Sequence, residues 1–186
     1  MIGDSYRDKT EDELVRASLD GDRYAFSEIV RRNQGMVART VKGMLGNTAD
    51  AEDVGQDVFI KLYRSLQDFR GDSKLPAYIQ KIAVNLTLNE LKRRKRYLSV
   101  FTRKDNIEIP RLEIAAHDDE EKRDASEIVS RALMNLKPKY RMVVTMRMLQ
   151  GYSTKETAEM LDLPVGTVLS RLARAQSQLR EILKKL

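Results

Sequence analysis

The sequence predicts an all-α protein made of two small helical domains with an acidic linker between them. Only 9 glycines and 4 prolines interrupt the 186 residues, and apolar side chains recur at every third or fourth position, as on the buried face of a helix. No stretch alternates apolar and polar residues for long enough to predict a sheet. The charge also divides the chain, because residues 1–97 carry a net +3, residues 98–124 a net −3 and residues 125–186 a net +6.

The composition excludes several classes of chemistry. The chain has no cysteine, which excludes disulfides, thiolate metal sites and cysteine nucleophiles. With His117 as its single histidine, the chain is poorly supplied for a histidine zinc site or a catalytic triad. The longest apolar runs fall far short of the ~20 residues that cross a bilayer, and the N-terminus has no apolar signal segment. We therefore expect a cytoplasmic protein that needs no cofactor or metal, does not insert into a membrane and is not an enzyme.

The N-terminal part contains three long helical patterns. Acidic residues follow Thr10, as at a helix start, and an apolar stripe then continues up to Gly46. A second stripe recurs at every fourth residue and predicts a helix that ends near residues 69–72; its members are Val54, Val58, Leu62 and Leu66. A third stripe follows Pro76 and predicts a long helix that runs into the basic cluster at 92–96. These patterns predict a helical bundle.

Residues 98–124 interrupt the helical patterns. They contain Pro110 and the acidic run Asp118–Glu121, and most of the stretch lacks a sustained apolar stripe. This composition predicts a linker whose end leads into the first helix of the second domain.

The segment 151–175 predicts a helix-turn-helix. Ser153, followed three residues later by Glu156, is a capping box that marks a helix start. The helix should end near Leu161, because a turn follows and Pro164 suits the start of a new helix. The small Ala158 lies where the two helices would cross. This layout places a recognition helix in the major groove of DNA.

A helical wheel divides the second of these helices into two faces. The predicted core face holds Val168, Leu172, Ala175 and Leu179. The opposite arc is small and polar with arginines, and it holds Gly166, Thr167, Ser170, Ala173 and Arg174, with Arg171 on its flank. Generic surface helices usually carry glutamate and lysine, whereas these side chains suit phosphates and base edges. The pattern therefore favours DNA contact over an ordinary solvated face.

Two features of the N-terminal domain indicate further partners. Asp53 and Asp57 share an exposed face on the acid-rich start of the second stripe. On the third helix, amides precede cations along one side, which suits a helix laid across nucleic acid; these residues are Asn85, Asn89, Arg93 and Arg96. Phe69 and Tyr78 flank the loop before that helix, where an unstacked base could lodge.

Together these motifs resemble the extracytoplasmic-function (ECF) sigma factors of bacterial RNA polymerase, within the sigma-70 family. The N-terminal domain carries Asp-Ala-Glu-Asp-Val at 50–54, Phe-Arg-Gly-Asp-Ser at 69–73 and Ile-Ala-Val-Asn at 82–85. Leu-Pro-Val-Gly-Thr-Val-Leu-Ser-Arg at 163–171 is similar to the C-terminal domain of that family. The resemblance covers nearly the whole chain in the right order. It implies a factor that binds polymerase core and directs promoter-specific transcription initiation, with promoter DNA and an anti-sigma protein as further partners.

The resemblance also implies a role for each motif. The acidic helix would bind polymerase through Asp50, Glu52, Asp53, Gln56 and Asp57. The loop and the third helix would melt and read the −10 promoter element through Asp72, Ser73, Lys74, Asn85, Asn89, Arg93 and Arg96. The recognition helix would read the −35 element through Thr167, Ser170, Arg171 and Arg174. The part that meets the polymerase flap would include Leu133, Leu136, Pro138 and Tyr140, and the linker would thread towards the active-site cleft.

Several positions depart from the pattern of the family. Leu75 and Tyr78 lie near positions where the family commonly has other aromatic residues, and Pro76 stiffens the same loop. Gly55 lies inside a predicted helix, where glycine is unfavourable. Leu169 and Ala173 are unusual side chains for the recognition helix of the family.

Two other functions fit parts of the sequence. A two-domain regulator with a C-terminal helix-turn-helix would need a ligand pocket or phosphoacceptor in the first domain, and the alternating strand and helix pattern of a receiver is absent. An enzyme could bind Mg²⁺ through Asp50, Glu52, Asp53 and Asp57. No phosphate-cradling glycine loop or activated nucleophile accompanies these acids, so a docking face is the simpler interpretation.

Overall fold

The computed structural model describes residues 6–71, 73–101 and 120–184, and they form helices and connecting turns with no strand among them. The first domain contains α1 (Glu11–Leu19), α2 (Arg23–Leu45), α3 (Ala49–Ser65) and α4 (Leu75–Phe101), with a 3-10 turn at Leu66–Asp68. The second contains α5 (Glu120–Asn135), α6 (Pro138–Val144), a π-helical turn at Thr145–Leu149, α7 (Thr154–Leu161) and α8 (Val165–Leu183). The predicted all-α architecture is confirmed.

The helix boundaries follow from local capping. Thr10 and Glu13 form a capping box at the start of α1, and Gly46, with a positive φ of 82°, ends α2. Helix α3 ends at Ser65, earlier than the expected 69–72, because the 3-10 turn tightens the chain there. Helix α4 continues to Phe101 and α5 begins at Glu120, so both extend into the stretch predicted as linker.

The first domain buries one apolar core between its four helices. The predicted stripes supply this core, whose enclosed members include Ile29, Val37, Val41, Val58, Leu62 and Ile79. Removing such side chains from water, at ~25 cal/mol per Å², is the main stabilising term for the bundle. The second domain packs α5, α6 and α8 around Leu133, Leu136, Tyr140, Val144 and Ala175.

A third buried cluster joins the two domains. Met44 on α2 and Val84 on α4 pack against Met142, Val143 and Met146 of the second domain. Nothing in the periodicity of the sequence indicates this contact, because these residues belong to the stripes of their own helices. The chain is therefore folded in a closed arrangement, with the two domains sharing apolar surface.

Polar side chains reinforce the contact between the domains. The Gln150 side chain donates to the Thr40 hydroxyl at 2.9 Å and to the Met36 carbonyl at 3.2 Å. The Gln80 amide also donates to the Thr40 hydroxyl, at 2.8 Å, and lies 3.3 Å from the Met146 sulfur. Thr40 and Gln80 are fully buried, so these bonds satisfy groups that would otherwise be costly to bury.

Arg141 links the ends of two helices across the same contact. Its Nη1 donates to the Met44 carbonyl at 2.8 Å, and its Nη2 donates to the carbonyls of Met134 and Leu136, both at 3.0 Å. These carbonyls lie at the C-terminal ends of α2 and α5, where the helix dipole favours a cation. Burial, together with the nearby charge of Arg94, lowers the pKa of Arg141 to about 10, so the guanidinium stays charged at neutral pH.

Gly43 allows α2 to approach the π-helical turn closely. A Cβ placed on Gly43 would lie 2.9 Å from Thr145 Cγ2 and 3.1 Å from Thr145 Oγ1, and the first of these distances is too short for a carbon–carbon contact. A larger residue at this position would therefore crowd the contact between the two domains. No helix in the described ranges is both long and apolar enough to cross a membrane.

Candidate nucleic-acid and partner interfaces

The helix-turn-helix forms at the predicted positions. Ser153 and Glu156 cap α7, which ends at Leu161, and the turn passes through Asp162 at a φ of 50°. An aspartate tolerates this left-handed conformation better than most residues do. The Leu163 amide donates to the Ala158 carbonyl at 2.9 Å, and α8 then begins after Pro164.

The two faces of α8 also lie as the wheel predicts. Val168 and Ala175 are fully buried, with Leu172 and Leu179 packed beside them. Ser170 and Arg174 are exposed, whereas Thr167 and Arg171 are half-buried on the flank. The unusual Leu169 is 52% exposed, so an apolar side chain stands beside the polar face.

Arg174 has a contact that sequence analysis did not anticipate. The charged guanidinium of Arg174 lies near the Tyr140 hydroxyl, and this interaction, with the positive charge of Lys139, lowers the pKa of Tyr140. A long-range contact of this kind leaves no signal in helical spacing.

The predicted nucleic-acid face of α4 is exposed. Asn85, Asn89, Arg93 and Arg96 all lie on the surface of the helix. Arg93 is not a free cation, because it donates to both oxygens of Glu90 at 2.6 and 2.9 Å. These hydrogen bonds hold the pKa of Glu90 below its ordinary value, and Arg94 adds to the effect.

The loop before α4 presents polar side chains. Ser73 and Lys74 are exposed, and Asp72 lies outside the described residues. The rings of Phe69 and Tyr78 lie 5.3 Å apart and contact each other, and the Tyr78 hydroxyl donates to Ser65 Oγ at 3.1 Å. In this arrangement the two rings pack together rather than opening a slot between them.

The acidic residues of α3 divide into two groups. Asp50 accepts from Arg94 at 2.7 Å and so ties the start of α3 to α4. The remaining predicted residues are exposed: Glu52, Asp53, Gln56 and Asp57. Farther along α3, Ile60 is 47% and Tyr63 58% exposed, so large apolar side chains follow the acids on the surface. Among the described residues, no group of three or more histidines and carboxylates lies close enough to hold a metal ion.

One predicted contact surface needs correction. Leu133, Leu136 and Tyr140 belong to the buried core of the second domain, and only Pro138 of that set is exposed. They therefore cannot offer their side chains to a partner in this fold. Among the α5 side chains that the structure describes, residues 127–135, the large apolar ones that are exposed are Ile128 and Val129.

Comparison with known proteins gives matches along most of the chain. The family described as "Sigma-70 region 2" matches residues 29–97, and "Sigma-70, region 4" matches residues 126–179. The chain is 32% identical over 181 residues to the ECF RNA polymerase sigma factor SigM of Mycobacterium tuberculosis, covering 95% of this chain and 86% of that one. It is 36% identical over 175 residues to the ECF RNA polymerase sigma-E factor of Escherichia coli, covering 90% and 91% of the two chains.

Solved structures share the fold. The sigma factor RpoE, in complex with the anti-sigma factor NepR from Bartonella quintana, superposes with a TM-score of 0.68 at 23% identity, covering 86% of this chain and 96% of that one. CnrH, in complex with the cytosolic domain of CnrY, gives a TM-score of 0.64 at 24% identity, covering 92% and 96%.

Proposed function

Because the chain belongs to the ECF sigma factors of the sigma-70 family, we propose that its two domains divide polymerase binding and promoter recognition between them. As a sigma factor, the chain binds RNA polymerase core and directs promoter-specific transcription initiation. Residues 1–97 would bind the core and the −10 element, residues 125–186 would read the −35 element, and 98–124 would link them. The observation that carries this proposal is the helix-turn-helix of α7 and α8, with its exposed Ser170 and Arg174.

We assign polymerase docking to the outer face of α3. Asp53 and Asp57 are exposed, and neither takes part in an ion pair among the described residues, so both charges are available to a basic partner. The exposed Ile60 and Tyr63 extend this face, and large apolar side chains on a surface typically mark a protein contact. Asp50 would act indirectly, because its bond to Arg94 fixes the start of the helix.

We assign the −10 element to α4 and the loop before it. Asn85 and Asn89 could read bases, while Arg93 and Arg96 could hold phosphates. The ion pair of Arg93 with Glu90 lowers the net charge that this end presents to DNA. The −35 element would meet Thr167, Ser170, Arg171 and Arg174 on α8.

We also propose an anti-sigma partner and a role in the cytoplasm. Two proteins of the same fold were solved with partners, RpoE with the anti-sigma factor NepR and CnrH with the cytosolic domain of CnrY. Polymerase and promoter DNA are located in the cell interior, which is where the chain would act. Its surfaces bind rather than react, so we propose an initiation factor and not an enzyme.

The test of this function is binding to RNA polymerase core. Asp53→Arg with Asp57→Arg should weaken core binding at least tenfold and abolish run-off transcription, while circular dichroism stays unchanged because both residues are exposed. The control is Asp8→Arg with Asp12→Arg, which makes the same change of charge on exposed residues outside α3. Equal core affinity in the two double variants would refute the docking assignment. Absence of core binding by the unmodified chain would refute the function itself.

A further inference from the structure

Sulfur is concentrated at the contact between the two domains. The chain has no cysteine and 8 methionines. Of the seven methionines in the described ranges, only Met148 stands clear of that contact, with 55% of its surface exposed. The other six lie in or against the contact: Met36, Met44, Met134, Met142, Met146 and Met160.

Met134 lies beside Arg141 and the end of α2. Its sulfur accepts from Arg141 Nη1 at 3.0 Å, and the same nitrogen donates to the Met44 carbonyl of the first domain at 2.8 Å. The sulfur also lies 3.2 Å from the position that a Cβ on Gly46 would occupy, so it approaches the backbone at the end of α2. Met134 is only half-buried, whereas Met44 and Met146 are enclosed.

Met146 lies deeper in the same contact. Its side chain has 0% exposure, and its sulfur is 3.3 Å from the Gln80 amide nitrogen that donates towards it. Met44, with 1% exposure, is equally enclosed. These two sulfurs are shielded for as long as the domains stay together.

We propose that Met134 is an oxidation site at which a peroxide opens the contact between the two domains. The thioether sulfur attacks one oxygen of hydrogen peroxide, an S–O bond forms and the O–O bond breaks. The leaving hydroxide takes the proton of the transferred oxygen and becomes water. The sulfur loses two electrons, and the product is methionine sulfoxide.

The sulfoxide would act on the contact in two ways. Its oxygen is a stronger acceptor than the thioether, so it would draw the Arg141 guanidinium towards Met134 and away from the Met44 carbonyl. It also adds an atom beside Gly46, where the sulfur already approaches the backbone. After the domains separate, Met44 and Met146 become accessible, and their sulfoxides could be buried again only at the cost of unpaired polar groups. Oxidation would therefore hold the chain open. The consequence for transcription rests on the proposed function, whereas the opening itself does not.

The experiment uses the full chain without polymerase. Cysteines introduced at the exposed Gln67 and Ser177, one in each domain, carry a dye pair whose energy transfer reports domain separation. Hydrogen peroxide is added, and mass spectrometry maps sulfoxide at each methionine. We expect Met134 and Met148 to oxidise before Met146, and energy transfer to fall together with Met134 oxidation. Methionine sulfoxide reductases for both epimers should restore the transfer.

Matched variants distinguish the effect of oxidation at Met134 from the effect of oxidation at other methionines. Met134→Leu conserves volume and removes the sulfur, so opening should be at least tenfold slower at the same peroxide concentration. Met148→Leu removes an exposed sulfur outside the contact and should behave as the unmodified chain. Full oxidation of Met134 with unchanged energy transfer, equal opening of Met134→Leu, or a reduced chain that is already open would each overturn the proposal. Core binding and run-off transcription by the reduced chain test the proposed function separately.

Discussion

Replacing Gly43 with alanine should separate the two domains while each of them stays folded. Gly43 lies in α2, where an alanine Cβ would stand 2.9 Å from Thr145 Cγ2. Thr145 is fully buried, so its side chain has little space in which to move aside. Gly35 is the matched control, because it lies in the same helix and its added Cβ would meet only the flexible end of Arg39, at 3.4 Å.

The two substitutions share one effect and differ in another. Each replaces a helical glycine with alanine, which should stabilise the first domain by about 0.5–1 kcal/mol. Gly43→Ala alone overpacks the contact between the domains, at a cost of about 1–3 kcal/mol to the closed arrangement. Because 1.4 kcal/mol is a tenfold change in an equilibrium constant, its ratio of closed to open chains should fall by about 5- to 150-fold.

Two measurements detect these effects independently. Energy transfer between dyes at Gln67→Cys and Ser177→Cys reports closure, and thermal unfolding followed by circular dichroism reports the stability of the helices. Gly43→Ala should lower the energy transfer without loss of helicity, and Gly35→Ala should leave it unchanged.

Equal energy transfer in the two variants would refute the close approach of α2 to the π-helical turn. Loss of helicity in Gly43→Ala, with no recovery in a Gly43→Ala, Thr145→Ser double variant, would place the damage inside the first domain. Thr145→Ser removes the Cγ2 that the new methyl group would meet.

Three further predictions concern stability and base reading. Hydrogen bonds from Arg31 and Arg32 lower the pKa of Glu28 to about 2 from 4.5, so its charge stabilises the fold above pH 4.5 and this stabilisation is lost as the pH falls towards 2. In urea unfolding, the free energy of unfolding of the unmodified chain should therefore exceed that of Glu28→Gln, and the difference should vanish as the pH falls over this range. A difference that is independent of pH would contradict this prediction. Gly55→Ala should raise the free energy of unfolding by about 0.5–1 kcal/mol, because nothing lies within 4 Å of an added Cβ, and a lower melting temperature would contradict this. Arg174→Ala, tested in the holoenzyme on promoter variants, should cost about 1–3 kcal/mol at the preferred −35 sequence and flatten discrimination at one or two positions; an equal loss on every sequence would make Arg174 a phosphate anchor only.

The sequence predicted features that depend on nearby residues. The helix-turn-helix is marked by Ser153, Glu156 and Pro164, which act within one turn of the backbone they cap, and both α7 and α8 begin where those signals lie. The core face of α8 follows from its spacing, since Val168 and Ala175 are fully buried.

Features that depend on distant residues were missed or misplaced. Gly43 and Thr145 are about a hundred positions apart, and neither breaks the pattern of its own helix, so the closed arrangement leaves no periodic signal. The family resemblance predicts a partner contact for Leu133 and Leu136, although their side chains complete the core against α8. The structure gives no reason for Gly55.

The closed arrangement sets a requirement for promoter recognition. The −35 and −10 elements lie about 25 base pairs apart by their own names, which is ~85 Å along duplex DNA at 3.4 Å per pair. A compact body of roughly 160 residues, as many as the structure describes, has a radius of gyration of about 15 Å and is roughly 40 Å across, so the closed domains cannot reach both elements together. The reading residues that are exposed in the closed arrangement include Asn85 and Asn89 on α4 and Ser170 and Arg174 on α8, so closure does not cover these side chains. It would instead block initiation by holding the two faces too close together.

Polymerase must then supply the free energy of opening. Moving a chain from 99% closed to 99% open requires about 5.5 kcal/mol of differential binding. The contact to be broken contains the apolar cluster of Met44 and Met146, the bonds of Gln150 and the charged bond of Arg141 to the Met44 carbonyl. Any change that weakens this contact, whether Gly43→Ala or a sulfoxide at Met134, lowers the free energy of opening that polymerase must supply. Such changes should therefore strengthen core binding to the same extent that they lower the energy transfer of the free chain. Opening without tighter core binding would mean that polymerase accepts the closed arrangement, and the closure would then have no part in regulation.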